Sequence, residues 1–568
     1  MSNLPKNKKM TDIAIKNKNM SYVNLEALIK REDLFIINDK NDGGAKFSID
    51  KIRLEADLKP DSLMLKTLRK PDFQRETSEW KPERIAGLIK SFINDDIIPS
   101  IILWHSPSGN NFVIDGAHRL SALIAWVMDD YGDRAVSENF FGKRNIPKEQ
   151  YKIADKTRKL VASEVGAFES YDLRLIDESK AEPETIRIAK NLAFLSIQVQ
   201  TINTQSPEAA ESSFFKINGE ATPINDTEAL ILKSRKKPNS ISARAIIHSG
   251  TGHEYWSKFK ADTKDKIKLL AKEINELLFQ PEYETPIKTV DLPMAGKGYS
   301  AQTLELIFNL VNIVNDIKIV EWKKMKNAKD IEPADDENGD STLEYLKKTK
   351  KIADIIAGDE NYSLGLSPIV YFYSIDGRYQ ITAFMAIVEL VKGYTKDDFF
   401  KFTIIRGMFE EFLVKYKSII KQIVSKYGSG HKSYKRIQSL FVLIISGLLA
   451  KTKDGISKED EIWDAINSHK DFKYLRREET EMEPANRKEF STETKSAINI
   501  RARLKSALKC PFCDGIIFNK SQNTDHIIDK KNNGLGDIDN GQITHYYCNS
   551  SKDKLLEYFK NNPKQKLS

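Results

Sequence analysis

A chain of 568 residues is too long for one hydrophobic core, and at roughly 150 residues per domain it predicts three or four units. With 40% hydrophobic and 30% charged residues it has a soluble, globular composition, and 89 Lys or Arg against 81 Asp or Glu leave a net charge of +8. The opening MSNLPKNKKM has no apolar stretch behind its lysines, which excludes a secretory signal, and all three cysteines lie in one C-terminal block, which excludes a disulfide scaffold and predicts a reducing, cytoplasmic setting.

Residues 1–50 are polar and rich in Lys and Asn, with one short apolar stretch at Leu34-Phe-Ile-Ile37, and read as a partly ordered arm. No internal repeat interrupts the chain. The first informative block runs from Pro71 to Trp126. It opens with Pro71-Asp-Phe-Gln-Arg75, and Ile85, Leu88, Ile89 and Phe92 then share one face of a helix predicted over Glu83–Phe92. Ile97-Ile-Pro99 leads into a strand, Ser100–Trp104. A turn at Ser106-Pro-Ser-Gly109 returns the chain as a second strand, Asn111–Ile114. That strand ends at Asp115-Gly-Ala-His-Arg119, before an apolar helix over Leu120–Val127. Helix N-terminal amides favour an anion, Gly116 allows close backbone approach, and Arg119 carries a fork of donors suited to a phosphate. A common strand-to-helix turn with an Arg ion pair is the plainer reading of the same residues.

This block resembles the ParB/sulfiredoxin-like nucleotidase fold, in the branch found in GmrSD-type modification-dependent restriction enzymes. Phe73-Gln-Arg75, Ile98-Pro99 and Asp115-Gly-Ala-His-Arg119 follow that branch's order, with Ala117 and His118 in place of the two glutamines of its DGQQR-type motif. Phe214-Phe-Lys-Ile-Asn218 through Glu228 is similar to a later signature of the branch, with its glycine displaced to Gly219. The resemblance implies that Asp115, Gly116, His118 and Arg119, faced by Gln74 and Arg75, contact a nucleotide, expected to be a nucleoside triphosphate.

From about 245 to 480 the pattern is helical: apolar residues recur at Ile267, Leu270, Ile274 and Leu278, and likewise over Thr303–Ile319 and Phe384–Lys392. The longest apolar run, Ile437–Leu449, is 13 residues, short of the roughly 20 a membrane span needs, and predicts a buried helix. Asp335-Asp-Glu-Asn-Gly-Asp340 reads as a solvated loop. Tyr416, Tyr427 and Tyr434 with Lys435 read as core and helix-surface residues, with nucleic-acid contact the other reading. Glu478–Phe490 reads as a polar linker, and a basic helix over Lys495–Leu508 then feeds the C-terminal block.

That block carries Cys510-Pro-Phe-Cys513 and, 35 residues after Cys510, His545-Tyr-Tyr-Cys548. Two such turns place four ligands suited to one tetrahedral Zn²⁺. Between them lie Asp525-His526, a Gly- and Asn-rich loop, and Asn540-Gly-Gln542. From Asn486 to the end there are 15 Lys or Arg and 9 Asp or Glu, so about +6 of the net charge sits here, a bias that favours a polyanion.

The order of these motifs resembles the HNH endonucleases of the ββα-metal class, with His545 in the place of a third cysteine and Asn549 in that of the last histidine. The resemblance implies His526 as general base, Asn540 orienting its imidazole, and Asp525 and Asn549 holding one catalytic Mg²⁺ or Mn²⁺. Cys510, Cys513, His545 and Cys548 would hold a structural zinc. The expected whole is an α+β multidomain chain: a polar arm (1–50), a ParB/sulfiredoxin-like nucleotide-binding sensor domain (51–245), a helical domain (246–485) and an HNH domain (486–568). Its expected function is a nucleotide-regulated DNA endonuclease of bacterial defence, resembling GmrSD-like restriction enzymes and phosphorothioate-sensing nickases. Its expected partners are DNA and a nucleotide, with no membrane, and a homo-oligomer if two chains must meet to cut both strands. The alternatives are a DNA-binding regulator with a zinc module and no nuclease activity, and an RNA-cleaving toxin.

Overall fold

The computed structural model describes residues 22–34, 49–75, 80–172, 176–177, 179–202, 206–221, 226–298, 301–318, 332–451, 455–478 and 488–567. They form two units, residues 1–235 with 251–255, and residues 236–250 with 256–568. The first is α+β, and the second is mostly helical and includes the Cys/His block.

The first unit is built on six strands: β1 (Arg31–Glu32), β2 (Lys51–Arg53), β3 (Leu68–Pro71), β4 (Ile101–His105), β5 (Asn111–Asp115) and β6 (Ser196–Ile202). They lie in the order β1-β3-β5-β4-β6-β2. The sheet is mixed: β4 and β5 are the antiparallel hairpin expected from Ser106–Gly109, β3 runs parallel to β5, and β6 runs parallel to β4. The central hairpin strands β4 and β5 are mostly apolar because both of their faces are covered, whereas β1 and β2 at the edges are mostly polar. Leu103 and Val113 enter the larger cluster with Ile85 and Ile89 of the Pro82–Ile93 helix and Leu120 and Leu123 of the Ala117–Met128 helix. Trp104, Phe112 and Ile114 point the other way, against Phe73, Ala210, Phe214 and Leu232.

The expected arm is corrected by its second half. Residues 22–34 belong to the domain: β1 forms the sheet edge, and Val23, Leu25, Leu28 and Ile29 are buried in the larger cluster. Buried charges hold the segment. Glu26 takes ion pairs from Arg31 at 2.8 Å and Lys70 at 2.8 Å, and Arg31 also donates to the carbonyls of Pro71 and Gln74. Leu34 is buried, while Phe35–Ile37 lie outside the described residues.

In the second unit the expected helices are present as Ala261–Phe279, Ala301–Val314 and Ile381–Lys392. Tyr434–Leu449 buries Ile437, Leu440, Phe441, Ile444 and Leu448 but leaves Val442 and Leu449 exposed, so the apolar run is one-sided rather than wholly buried. The acidic loop is also corrected. Asp336 is buried, and its carboxylate accepts from the amides of Gly339 and Thr342 and the Thr342 hydroxyl, fixing the start of the Asp340–Ala357 helix. Tyr416 and Tyr434 are buried, as the core reading expects. The linker over Glu478–Phe490 falls largely outside the described residues. Among the described residues no helix is long and apolar enough to cross a membrane.

Candidate functional site

The C-terminal block starts from the Thr492–Lys505 helix, capped by the Ser491 hydroxyl. The chain then makes a tight turn in which the Asp514 amide donates to the Cys510 carbonyl and the Cys510 amide to the Gly515 carbonyl. Strands β7 (Gln522–His526) and β8 (Gly541–His545) pair antiparallel, with Asp525 opposite Gln542 and His526 opposite Gly541. The Tyr546–Ser550 helix follows β8 and packs on both strands, giving a strand–strand–helix order.

This hairpin and helix bring Cys510, Cys513, His545 and Cys548 together, all buried, with their ligand atoms within 4.8 Å of one another. His545 Nδ1 lies 3.4 Å from the Cys513 Sγ and 3.8 Å from the Cys548 Sγ. Around a tetrahedral Zn²⁺ with bonds of ~2.3 Å to sulfur and ~2.0 Å to nitrogen, neighbouring ligand atoms lie roughly 3.5–3.8 Å apart, so the set can hold a metal such as zinc. The other ring nitrogen, Nε2, faces the Ile516 carbonyl at 3.3 Å, an outer contact that leaves Nδ1 facing the cysteine sulfurs. Burial, reinforced by the Arg406 cation, holds the His545 imidazole below its ordinary range, in the neutral form that ligates metals.

The knuckle is docked on the Lys396–Lys415 helix. Arg406 pairs with Glu410 at 2.7 Å, Glu410 accepts the Ile516 amide at 2.6 Å and the Tyr371 hydroxyl at 2.9 Å, and the Gly407 amide donates to the Cys513 carbonyl. A Cβ on Gly407 would stand 2.7 Å from the Asp514 Cβ, so this close approach requires glycine.

Asp525 and His526 sit at the end of β7. The Asp525 carboxylate is buried, accepts from Gln542 Nε2 at 2.8 Å and pairs with Lys552 Nζ at 3.1 Å. Lys552 also meets Asp529 at 2.6 Å and the His526 carbonyl. Burial opposes the Lys552 charge, but the Asp529 and Asp525 carboxylates outweigh it and raise its pKa. Nothing in the motif spacing pointed to Lys552. His526 is half-buried, and its Nε2 faces the glycine-rich loop, 3.9 Å from where a methyl group on Gly536 would lie.

Asn540 does not hydrogen-bond the His526 imidazole, which corrects the role expected for it. Its carboxamide is spent on the loop: Oδ1 accepts the Ile528 amide at 2.7 Å, and Nδ2 donates to the carbonyls of Ile528 and Leu535. It thereby staples the two ends of the loop between β7 and β8. Asn549, on the short helix, has no side-chain hydrogen bond among the described residues.

In the first unit Asp115 ends β5 and Gly116 follows at φ +97°, where a Cβ would lie 2.3 Å from Ile101. Arg119, one turn into the Ala117–Met128 helix, donates to Asp115 at 2.7 Å and to the Ser100 carbonyl at 3.2 Å. Arg75 pairs with Glu228 at 2.7 Å. His118 stacks on Trp80, with ring centroids 5.6 Å apart. Its Nε2 is shielded from solvent, and burial with the Lys70 and Arg75 cations pushes its pKa down to about 3.

Among the described residues of this unit, the buried side-chain polar atoms without a hydrogen-bond partner are Asp72 Oδ1, Gln74 Oε1, His118 Nε2, Arg119 Nε and Ser121 Oγ. All five lie in the two motifs singled out from the sequence or within two residues of them. Asp72 and Ser121 are not among the residues expected to contact a nucleotide. Asp72 is tied to Arg235, which also pairs with Glu211, a contact spanning more than 160 residues that no local pattern announces.

The first unit is thus an α+β domain whose two motif segments carry buried polar groups without hydrogen-bond partners. Residues 61–235 match the family model of the GmrSD restriction endonuclease, N-terminal domain. The match stops short of the Cys/His block. No curated protein and no solved structure matches the chain.

Proposed function

We propose that this protein is a nucleotide-regulated DNA endonuclease of restriction or anti-phage type, with an HNH-type catalytic block at its C-terminus. The observation that carries the reading is the strand–strand–helix block itself: Asp525-His526 ends one strand, a Cys₃His set anchors the fold, and a GmrSD-type domain precedes both. The family supports a restriction nuclease, and therefore DNA as substrate.

In this reading the half-buried His526 imidazole takes the proton of the attacking water. Asn540 keeps the loop beneath it closed. Asp525 and Asn549 offer the oxygen donors that suit Mg²⁺ or Mn²⁺, which would stabilise charge on the phosphate and leaving oxygen. Lys552, which also holds Asp529 at 2.6 Å, would compete with that cation for Asp525. The orphaned groups at Gln74, His118 and Arg119, beside Asp115, Gly116 and Arg75, would receive the nucleotide.

A DNA-binding regulator with a zinc module is the second reading, favoured by one contact: the Lys552 ammonium already neutralises Asp525. Supercoiled plasmid incubated with protein and Mg²⁺ or Mn²⁺, with and without nucleoside triphosphates, separates the two. We expect open circles from the wild type and at least ~100-fold less from His526→Ala. Equal inactivity of both proteins on modified and unmodified DNA, with tight binding retained, would favour the regulator.

A further inference from the structure

A cleft of about 450 Å³ in the C-terminal unit lies outside both sites described above. Its floor is apolar: Val314, Ile352, Ile355 and Val391, all buried. The Asp340–Ala357 helix builds one wall at helical spacing, since Lys348, Lys351, Ile352 and Ile355 fall on one face. Lys392 and Lys396 flank the break between the Ile381–Lys392 and Lys396–Lys415 helices, and Tyr362, Tyr394 and Phe399 supply aromatic surface. Four lysines and no carboxylate line the cleft.

The lysines are not equivalent. Lys348 is paired with Glu344 at 2.6 Å, and Lys392 with Asp316 at 2.6 Å. Lys351 and Lys396 have no ion-pair partner among the described residues, and the neighbouring Asp397 is engaged by Lys401. Two uncompensated ammonium groups at the rim of an apolar, aromatic cleft select a ligand with a compact anion at one end and a flat ring at the other. The volume suits one small ligand and excludes a duplex.

We infer that this cleft binds a single nucleotide, its phosphate on Lys351 and Lys396 and its base against Tyr362, Tyr394 and Phe399. The nucleotide is either free or an unpaired unit of a strand. The wall is continuous with the C-terminal block. Phe399 packs on Tyr547 at 5.6 Å, and the Tyr547 amide donates to the Ser363 carbonyl, on the short helix that carries Cys548 and Asn549. The inference does not depend on cutting, because its readout is occupancy.

Full-chain protein would be irradiated with an azido-adenosine monophosphate and, separately, with a short single strand carrying iodouracil, and the labelled peptides mapped by mass spectrometry. Label on peptides holding Tyr362, Tyr394 or Phe399 is expected, falling by about tenfold or more in the Lys351→Glu, Lys396→Glu double variant and surviving in Lys351→Arg, Lys396→Arg. Circular dichroism checks that both variants are folded. Labelling by the free probe alone identifies a small-molecule effector, and labelling by the strand alone a substrate position. Label from neither probe in these peptides, or label unchanged by charge reversal, overturns the inference.

Discussion

His118 carries the clearest electrostatic signature in the N-terminal unit. Its imidazole is held neutral with a pKa of about 3, by burial first and by Lys70 and Arg75 second. Unfolded, it would titrate near 6.5. Between these values the unfolded chain binds the extra proton, so this contribution to stability is present above about pH 6.5 and lost as pH falls toward 3. A His118→Asn variant should flatten the melting temperature against pH over that window. An unchanged acid slope would show that the imidazole is not held neutral. Gly534 makes a second, steric case. A Cβ there would stand 1.7 Å from the Ile528 carbonyl oxygen and 2.9 Å from Asn540 Nδ2, inside the staple that closes the loop. Gly534→Ala should therefore reduce nicking by at least ~10-fold while zinc content, measured by atomic emission, stays at the wild-type level. Loss of zinc as well would mean that loop and knuckle are one structural entity.

At the scale of elements, the Lys396–Lys415 helix does more than its amphipathic pattern implies. Its Arg406–Glu410 pair is fully buried and reaches the carbonyls of Leu364 and Gly365, the Tyr371 hydroxyl and the Ile516 amide. Removing one member leaves the other buried and unpaired, which typically costs 3–5 kcal/mol. Glu410→Ala should lower the unfolding free energy of the C-terminal unit, read from denaturant melts, by about that amount, and Glu410→Gln by less, because the carboxamide can still accept the Ile516 amide. Equal small effects from both would mean the helix is held by Phe400 and Phe409 packing alone. The β4–β5 hairpin was legible from sequence because Ser106–Gly109 separates two apolar runs of strand length. β1 was not, since a two-residue strand has no periodicity to read and is defined only by its pairing with β3.

Across the whole molecule, the four residues that could hold a metal come from two turns more than 30 residues apart, so a bound ion would tie the start of the C-terminal block to its end. We expect one zinc per chain, and Cys548→Ser or chelation should expose residues 488–567 to limited proteolysis. Protection unchanged after the metal is removed would show that packing of Phe400, Phe512, Ile517 and Leu555 alone holds the block. What the sequence by itself determined was the local chemistry. Two ligand turns at fixed spacing, an Asp-His dipeptide between them, and a strand ending in Asp-Gly before a helix are written in adjacent residues, and adjacent residues constrain one another through short-range geometry. Only the tertiary structure decided the rest. Glu26 with Lys70, Asp72 with Arg235, Lys552 on Asp525 and the lysine-rimmed cleft each join residues distant in the chain. Burial turns such pairs into necessities: a charge leaves water only where the folded chain brings it a partner.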